Sequence, residues 1–158
     1  MTKVQANPKL GVQIRDYRPE DFETLWRIDQ ECFPPGISYS CGELERYVQH
    51  KRSFTLLAEV DGRIAGFIVA ARERKDVGHI ITLDISAQFR RSGLGSKLMA
   101  AAEERLRAAG CTFVFLETAV DNTAAIAFYK RLGYSVINAI PRYYLGSVDA
   151  LVLAKYLA

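Results

Sequence analysis

Glu117 is the one ionisable side chain in Thr112 to Thr118, a run otherwise made of β-branched, aromatic and aliphatic residues. An unpaired carboxylate is costly to bury, and burial raises its affinity for a proton. In a cleft such a group takes a proton from an amine; on the wet side of a strand, or beside an arginine, it is inert. Residue chemistry leaves these two readings level. Nearby, Asn122 stands where a helix begins and Tyr129 two turns later. By default Asn122 is a cap and Tyr129 packs in the core. A phenol with a pKa near 10 still carries a proton where a thiol, near 8.5, has begun to lose its own. His79 opens the apolar run Ile80–Ile85; a lone histidine at a strand start is by default a surface residue.

The second stretch with chemical content is Arg90-Arg91-Ser92-Gly93-Leu94-Gly95-Ser96-Lys97-Leu98. It follows a strand and opens an amphipathic helix. The unpaired N–H groups of a helix's first turn, with the positive end of its dipole, form an anion site. Gly93 and Gly95 allow close approach of backbone to phosphate, and Arg90, Arg91 and Lys97 add charge. A Walker A loop is not matched. A dinucleotide fingerprint needs a third glycine where Leu98 stands. What remains is Arg-x-x-Gly-x-Gly, a short pattern that is weak alone.

The elements that must position these residues are legible along the chain. Leu10–Tyr17 alternates as a strand. Pro19 opens a helix striped by Phe22, Leu25, Trp26 and Ile28-Asp29, and Phe33-Pro34-Pro35-Gly36 ends it. On residue chemistry that segment reads first as a connector; the other reading is a rim loop presenting Phe33, Ile37 and Tyr39. Ser38 or Ser40 caps a second helix running to about Lys51. Phe54–Val60 and Arg63–Ala71 form a hairpin about Asp61-Gly62. The charged break Arg72–Asp76 leads to a strand over Val77–Ser86. The helix from Leu94 to Ala109 closes at Gly110. After Thr112–Thr118 and the helix Thr123–Leu132, Tyr134–Ile140 and Ser147–Leu157 make a last hairpin turning at Leu145-Gly146. Ile80–Thr118 is a strand–helix–strand unit, so its two strands are parallel. The expectation is one α/β (α+β) domain over residues 1–158: a mixed sheet of six or seven strands with about four helices, and residues 1–9 a flexible tail.

Composition bounds the function. The chain has 158 residues, a net charge of +3 with scattered basic residues, and three cysteines without metal-ligand spacing. No nucleic-acid partner, no metal and no membrane association are expected. Reduced thiols and the lack of an apolar leader point to a cytoplasmic protein.

Two motifs in order lift the short pattern. Ile85-Ser86-Ala87-Gln88-Phe89-Arg90-Arg91-Ser92-Gly93-Leu94-Gly95-Ser96-Lys97-Leu98 resembles the cofactor motif of the GNAT superfamily of acyl-CoA-dependent N-acyltransferases. Phe115–Thr118 with Asp121–Tyr134 resembles its second motif. The match is closest to protein N-terminal acetyltransferases of the ribosomal-protein-alanine type. It is carried by Glu31-Cys32-Phe33-Pro34 with Tyr39, by Gly78–Leu83, and by Arg142-Tyr143-Tyr144 with Asp149–Leu153.

The resemblance implies a GNAT fold with splayed central parallel strands, and acetyl transfer to an N-terminal α-amine. The acceptor is a protein or peptide, with a ribosomal protein as one candidate, and the enzyme a monomer or homodimer. It makes Glu117 the general base, Tyr129 the general acid and His79 the residue that orders a catalytic water. Acetyl-CoA is then held by Leu83, Asp84, Ile85, Arg90, Arg91, Ser92, Gly93, Leu94, Gly95, Ser96, Asn122 and Tyr129. A backbone N–H near Ile85, at a bulge, meets the acetyl oxygen. Asp84 stands where relatives carry a small or apolar residue, so the wall of the acetyl pocket is open. Phe33, Pro34, Tyr39, Tyr143 and Tyr144 hold the acceptor. A small-molecule amine acetyltransferase is the alternative enzyme, and a catalytically silent acyl-CoA-binding module the alternative from another class.

Overall fold

The computed structural model describes residues 11–157; the tail expected over 1–9 and the Leu10 start of the first strand lie outside the described residues. Seven strands and four α-helices are formed among them: β1 (Val12–Asp16), α1 (Phe22–Cys32), α2 (Cys41–Gln49), β2 (Ser53–Val60), β3 (Arg63–Arg74), β4 (Val77–Ile85), α3 (Leu94–Ala108), β5 (Phe113–Ala119), α4 (Thr123–Arg131), β6 (Ser135–Tyr144) and β7 (Val148–Tyr156). They form one sheet in the order β1-β2-β3-β4-β5-β7-β6. Every neighbouring pair is antiparallel except β4 and β5, which are parallel as expected.

Local chemistry fixes the helix ends. Pro19 sets a single 3-10 turn over Pro19–Asp21, and the Asp21 carboxylate accepts the Arg18 N–H at 2.8 Å. Phe33, in extended conformation before Pro34, ends α1. Ser40, not Ser38, starts α2 in a capping box: its hydroxyl accepts from the Glu43 N–H, and the Glu43 carboxylate accepts from its own. Asn122 caps α4 by accepting the Ala125 N–H at 3.2 Å. The β2–β3 and β6–β7 hairpin turns each have two successive residues at positive φ, Asp61-Gly62 and Leu145-Gly146.

Two strands run further than expected. β3 continues through Arg72 to Arg74, so the charged segment is strand end rather than a break. β6 runs on to Tyr144, crossing Pro141 and an Arg142 at φ 52 by a register shift between Ile140 and Tyr144. Proline is tolerated because β6 is an edge strand.

The sheet is covered on both faces. On one, α3 packs with Phe128 and Tyr129 of α4, and with Leu132 just after it, over a core that includes Ile68, Ile80, Leu98, Leu106 and Leu116. On the other, Leu25, Ile28 and Leu44 of α1 and α2 lie on Leu57, Phe67 and Val69. Leu98 and Leu44 are fully buried, each contributing about 2 kcal/mol of transfer free energy.

Candidate active site

The central strands part. β4 and β5 pair only over Val77–His79 against Phe113–Phe115, and beyond that no pairing holds Ile80–Ile85 to Leu116–Ala119. On its other side β4 stays paired with β3 through Ile85. Ser86 donates to Ala65 O at 2.8 Å. Alternation back along that ladder turns the N–H groups of Leu83 and Ile85 away from β3 and into the gap. The expected bulge is present but lies at Ile81, where Val69 pairs with Thr82 and Ala70 with Ile80, not at Ile85. It has a consequence for every later side chain. Strict alternation from Ile80 would send Thr82 and Asp84 to the α3 face. The extra residue sends Leu83 and Ile85 there instead, and puts Asp84 on the α1 side. Asp84 is therefore not part of the gap wall.

The gap opens into a cavity of about 1190 Å³. One end is the start of α3. Arg91 at φ 62 and Gly93 at φ 84 turn the chain, and no side chain caps the helix. The first intrahelical acceptor taken is Gly93 O, by Lys97 N–H, so the N–H groups of Leu94, Gly95 and Ser96 are left for an anion. Gly95 has a second reason to be glycine: a Cβ there would lie 3.2 Å from Phe128 Cζ. Arg90, Arg91, Gly93, Leu94, Gly95, Ser96, Asn122 and Tyr129 all line the cavity. Ser92 does not; its hydroxyl donates to Phe89 O. Arg90 is committed in part to the protein, its Nε donating to Ile85 O at 3.0 Å and its Nη2 lying 3.4 Å from Cys32 Sγ. Burial, with the nearby Asp84, pushes the Cys32 thiol up to about 11.

At the cavity's other wall stands Glu117, with a side chain 17% exposed. Its Oε1 is 2.8 Å from His79 Nε2, and His79 Nδ1 is 3.2 Å from Glu73 Oε1. The imidazole stacks on Phe115 at 4.3 Å. A neutral imidazole has one N–H and cannot donate to two carboxylates. Desolvation disfavours the charged ring, but the hydrogen bond and charge of Glu117, then of Glu73, outweigh it and raise the His79 pKa. Glu117 is thus neither on the wet face nor beside an arginine, and His79 touches it directly. Tyr129 projects from α4 at the same gap, partly buried, and desolvation raises its phenol above the ordinary value.

The segment Phe33–Tyr39 borders the cavity as well as joining α1 to α2. Phe33, Pro34, Ile37 and Tyr39 line the cavity, facing Tyr144 from the last hairpin. Tyr143 does not line it; it is half exposed and meets Tyr144 edge-on at 4.9 Å. Two residues beside the site escape sequence reading. Glu73 lies in what reads as a charged break. Asp29 sat in plain view on the apolar stripe of α1. Among the described residues no group of three or more His, Cys, Asp or Glu could hold a metal. No helix among the described residues is long and apolar enough to cross a membrane.

Residues 22–134 match the family model described as the acetyltransferase (GNAT) family. An uncharacterised N-acetyltransferase of Methanocaldococcus jannaschii is 31% identical over 145 residues, 90% of each chain. An N-alpha-acetyltransferase of Sulfurisphaera tokodaii is 27% identical over 98% of each. The crystal structure of Ard1 from Thermoplasma volcanium superposes with a TM-score of 0.86 and 28% identity, covering 93% of this chain and 98% of that one.

Proposed function

The chain belongs to the GNAT family of acetyltransferases, which use acetyl-CoA, and on that premise we propose that it acetylates the N-terminal α-amine of a protein or peptide. The observation that carries this reading is the placement of Glu117. It is a carboxylate on the gap wall, backed by His79, between an uncapped helix start and an aromatic rim.

The residues present fit the cofactor. The free N–H groups of Leu94, Gly95 and Ser96, with Arg91, suit its pyrophosphate, and the unpaired β4 edge at Leu83 suits its amide arm. When bound, acetyl-CoA supplies an acetyl group activated as a thioester. Glu117 then takes a proton from the acceptor ammonium, directly or through water, since an α-amine with pKa near 8 is largely protonated at neutral pH. His79 holds Glu117 Oε1 and leaves the second oxygen for that proton. The Ile85 N–H is placed to donate to an oxygen that gains charge. Tyr129, kept protonated by burial, would supply its hydroxyl proton to the sulfur of a thiol leaving at that end of the gap. Phe33, Tyr39 and Tyr144 enclose the acceptor's first residue. Free amino acids and small amines would leave much of this rim uncovered, which favours a peptide.

Thiol release from acetyl-CoA tests this against two panels, peptides varied in their first two residues and free small amines. Turnover of peptides is expected; turnover confined to small amines overturns it. Tyr129→Phe is expected to slow turnover about tenfold or more with cofactor affinity unchanged.

A further inference from the structure

Behind β4, on the face away from α3, two fully buried carboxyls meet. Asp29 of α1 and Asp84 of β4 are each 0% exposed. The Thr82 hydroxyl donates to Asp84 Oδ1 at 2.5 Å, and the Tyr39 N–H donates to Asp29 Oδ2 at 2.7 Å. The remaining oxygens, Asp29 Oδ1 and Asp84 Oδ2, have no donor. Two buried oxygens without donors, on side chains close enough to hydrogen-bond each other, are satisfied together by one proton between them. Two charges in that place would repel without solvent to screen them.

We propose that Asp29 and Asp84 are positioning residues for acyl transfer: one shared proton joins their carboxyls and so fastens Tyr39 of the acceptor rim to β4, the strand whose N–H groups face the gap. The geometry makes the link short. Asp29 reaches Tyr39 N–H directly, and the Tyr39 carbonyl is held by Trp26 Nε1 at 3.2 Å and Gln30 Nε2 at 2.7 Å, both from α1. The Tyr39 hydroxyl reaches Ile81 O, at the bulge, at 3.4 Å. Asp84 lies between Leu83 and Ile85, whose N–H groups point into the gap. A change in the pair therefore moves the acceptor's wall relative to the acetyl site.

The groups around the pair agree. Desolvation, then the Asp29 contact, raise the Asp84 pKa well above the ordinary carboxylate range, against the opposing pull of Thr82 and Arg90. Arg90 is the cation near it, and its printed bonds go to Ile85 O and Cys32. Cys32 from α1, Tyr39 from the rim and Tyr129 from α4 also feel Asp84, and all three are raised, so they remain neutral there.

The role in acceptor binding rests on the peptide reading above; the shared proton does not. Carboxyl-carbon NMR on protein labelled at aspartate titrates the pair without any substrate. One carboxyl of the pair is expected to stay protonated through pH 7, and two ionised carboxyls at that pH would overturn the proposal. In kinetics, Asp84→Asn supplies a permanent donor to Asp29 and is expected to keep the acceptor KM within about twofold. Asp84→Ala leaves a buried carboxylate without a donor and is expected to raise that KM about tenfold, with the acetyl-CoA KM unchanged. An Asp84→Asn defect as large as that of Asp84→Ala would overturn the proposal. If Asp84→Ala does not fold, the titration and Asp84→Asn decide. If no peptide is a substrate but the proton is found, the acceptor reading fails and the pair stands.

Discussion

Two sets of carboxylates share the α1 side of the sheet, and they solve the same electrostatic problem in opposite ways. Glu73 and Glu117 are separated by an imidazole whose hold on a proton they both strengthen, and the set grades outward: the Glu117 side chain is 17% exposed and that of Glu73 45%. Asp29 and Asp84 have no cation between them and no contact with water. The first set can exchange protons with solvent during a turnover; the second is sealed. Proton traffic and proton retention thus coexist on one strand, divided by the bulge at Ile81. His79 lies before it and Asp84 after it.

The sharpest test of this contrast is Glu117→Gln. It removes the proton acceptor while leaving a hydrogen-bonding shape, so kcat/KM is expected to fall by 10²–10⁴ with the melting temperature little changed; thiol release and thermal unfolding measure the two. A rate near wild type would remove Glu117 from the chemistry.

Glu73→Gln probes the wet arm. Its contact is partly exposed, so a two- to threefold loss is expected. The more telling readout is the His79 titration, followed by NMR. Glu73 raises the His79 pKa, so removing it lowers that pKa. A histidine raised in the folded state adds stability that is full below about pH 6.5 and is lost as pH rises through the folded value. In Glu73→Gln that loss is smaller and is complete at lower pH. An unmoved titration would mean that Glu73 is ornamental.

Asp84→Asn probes the sealed arm and carries the smallest effect on activity. Because the Asp84 pKa is raised, the folded state keeps a proton that the unfolded chain gives up above about pH 4. Wild-type stability therefore declines as pH rises from there, and the asparagine variant is spared. The melting temperature is expected to be a few degrees higher for Asp84→Asn at pH 7 and equal to wild type near pH 3. A variant less stable at pH 7 would mean that Asp84 is ionised and paired with a cation.

Element order, the parallel pair and the helix-start loop were legible because each rests on local signals: alternation, glycine turns, caps. Glu117 was legible as an acid in an apolar strand, and its role came from resemblance. Asp84 showed the same signal but was misplaced. A bulge shifts the phase of alternation without changing composition, so the strand's sequence does not say which face comes after it. Asp29 sat at a buried helix position and could be read as odd, but its partner is 55 positions away. Tyr143 and Tyr144 are neighbours on a strand, and adjacent strand residues point to opposite sides; the pair was read as one feature when only Tyr144 lines the cavity.

The parted strands carry a cost that catalysis does not reveal. Beyond His79 and Phe115, the facing edges of β4 and β5 are unpaired inside the domain, and unpaired strand edges are templates for pairing with other chains. A ligand laid along the β4 edge closes that template. At a concentration 100 times its Kd, a ligand that binds only the folded state adds about 2.7 kcal/mol of stability. The cellular supply of cofactor would then set how often the seam stands open to other chains, so solubility and turnover draw on the same small molecule.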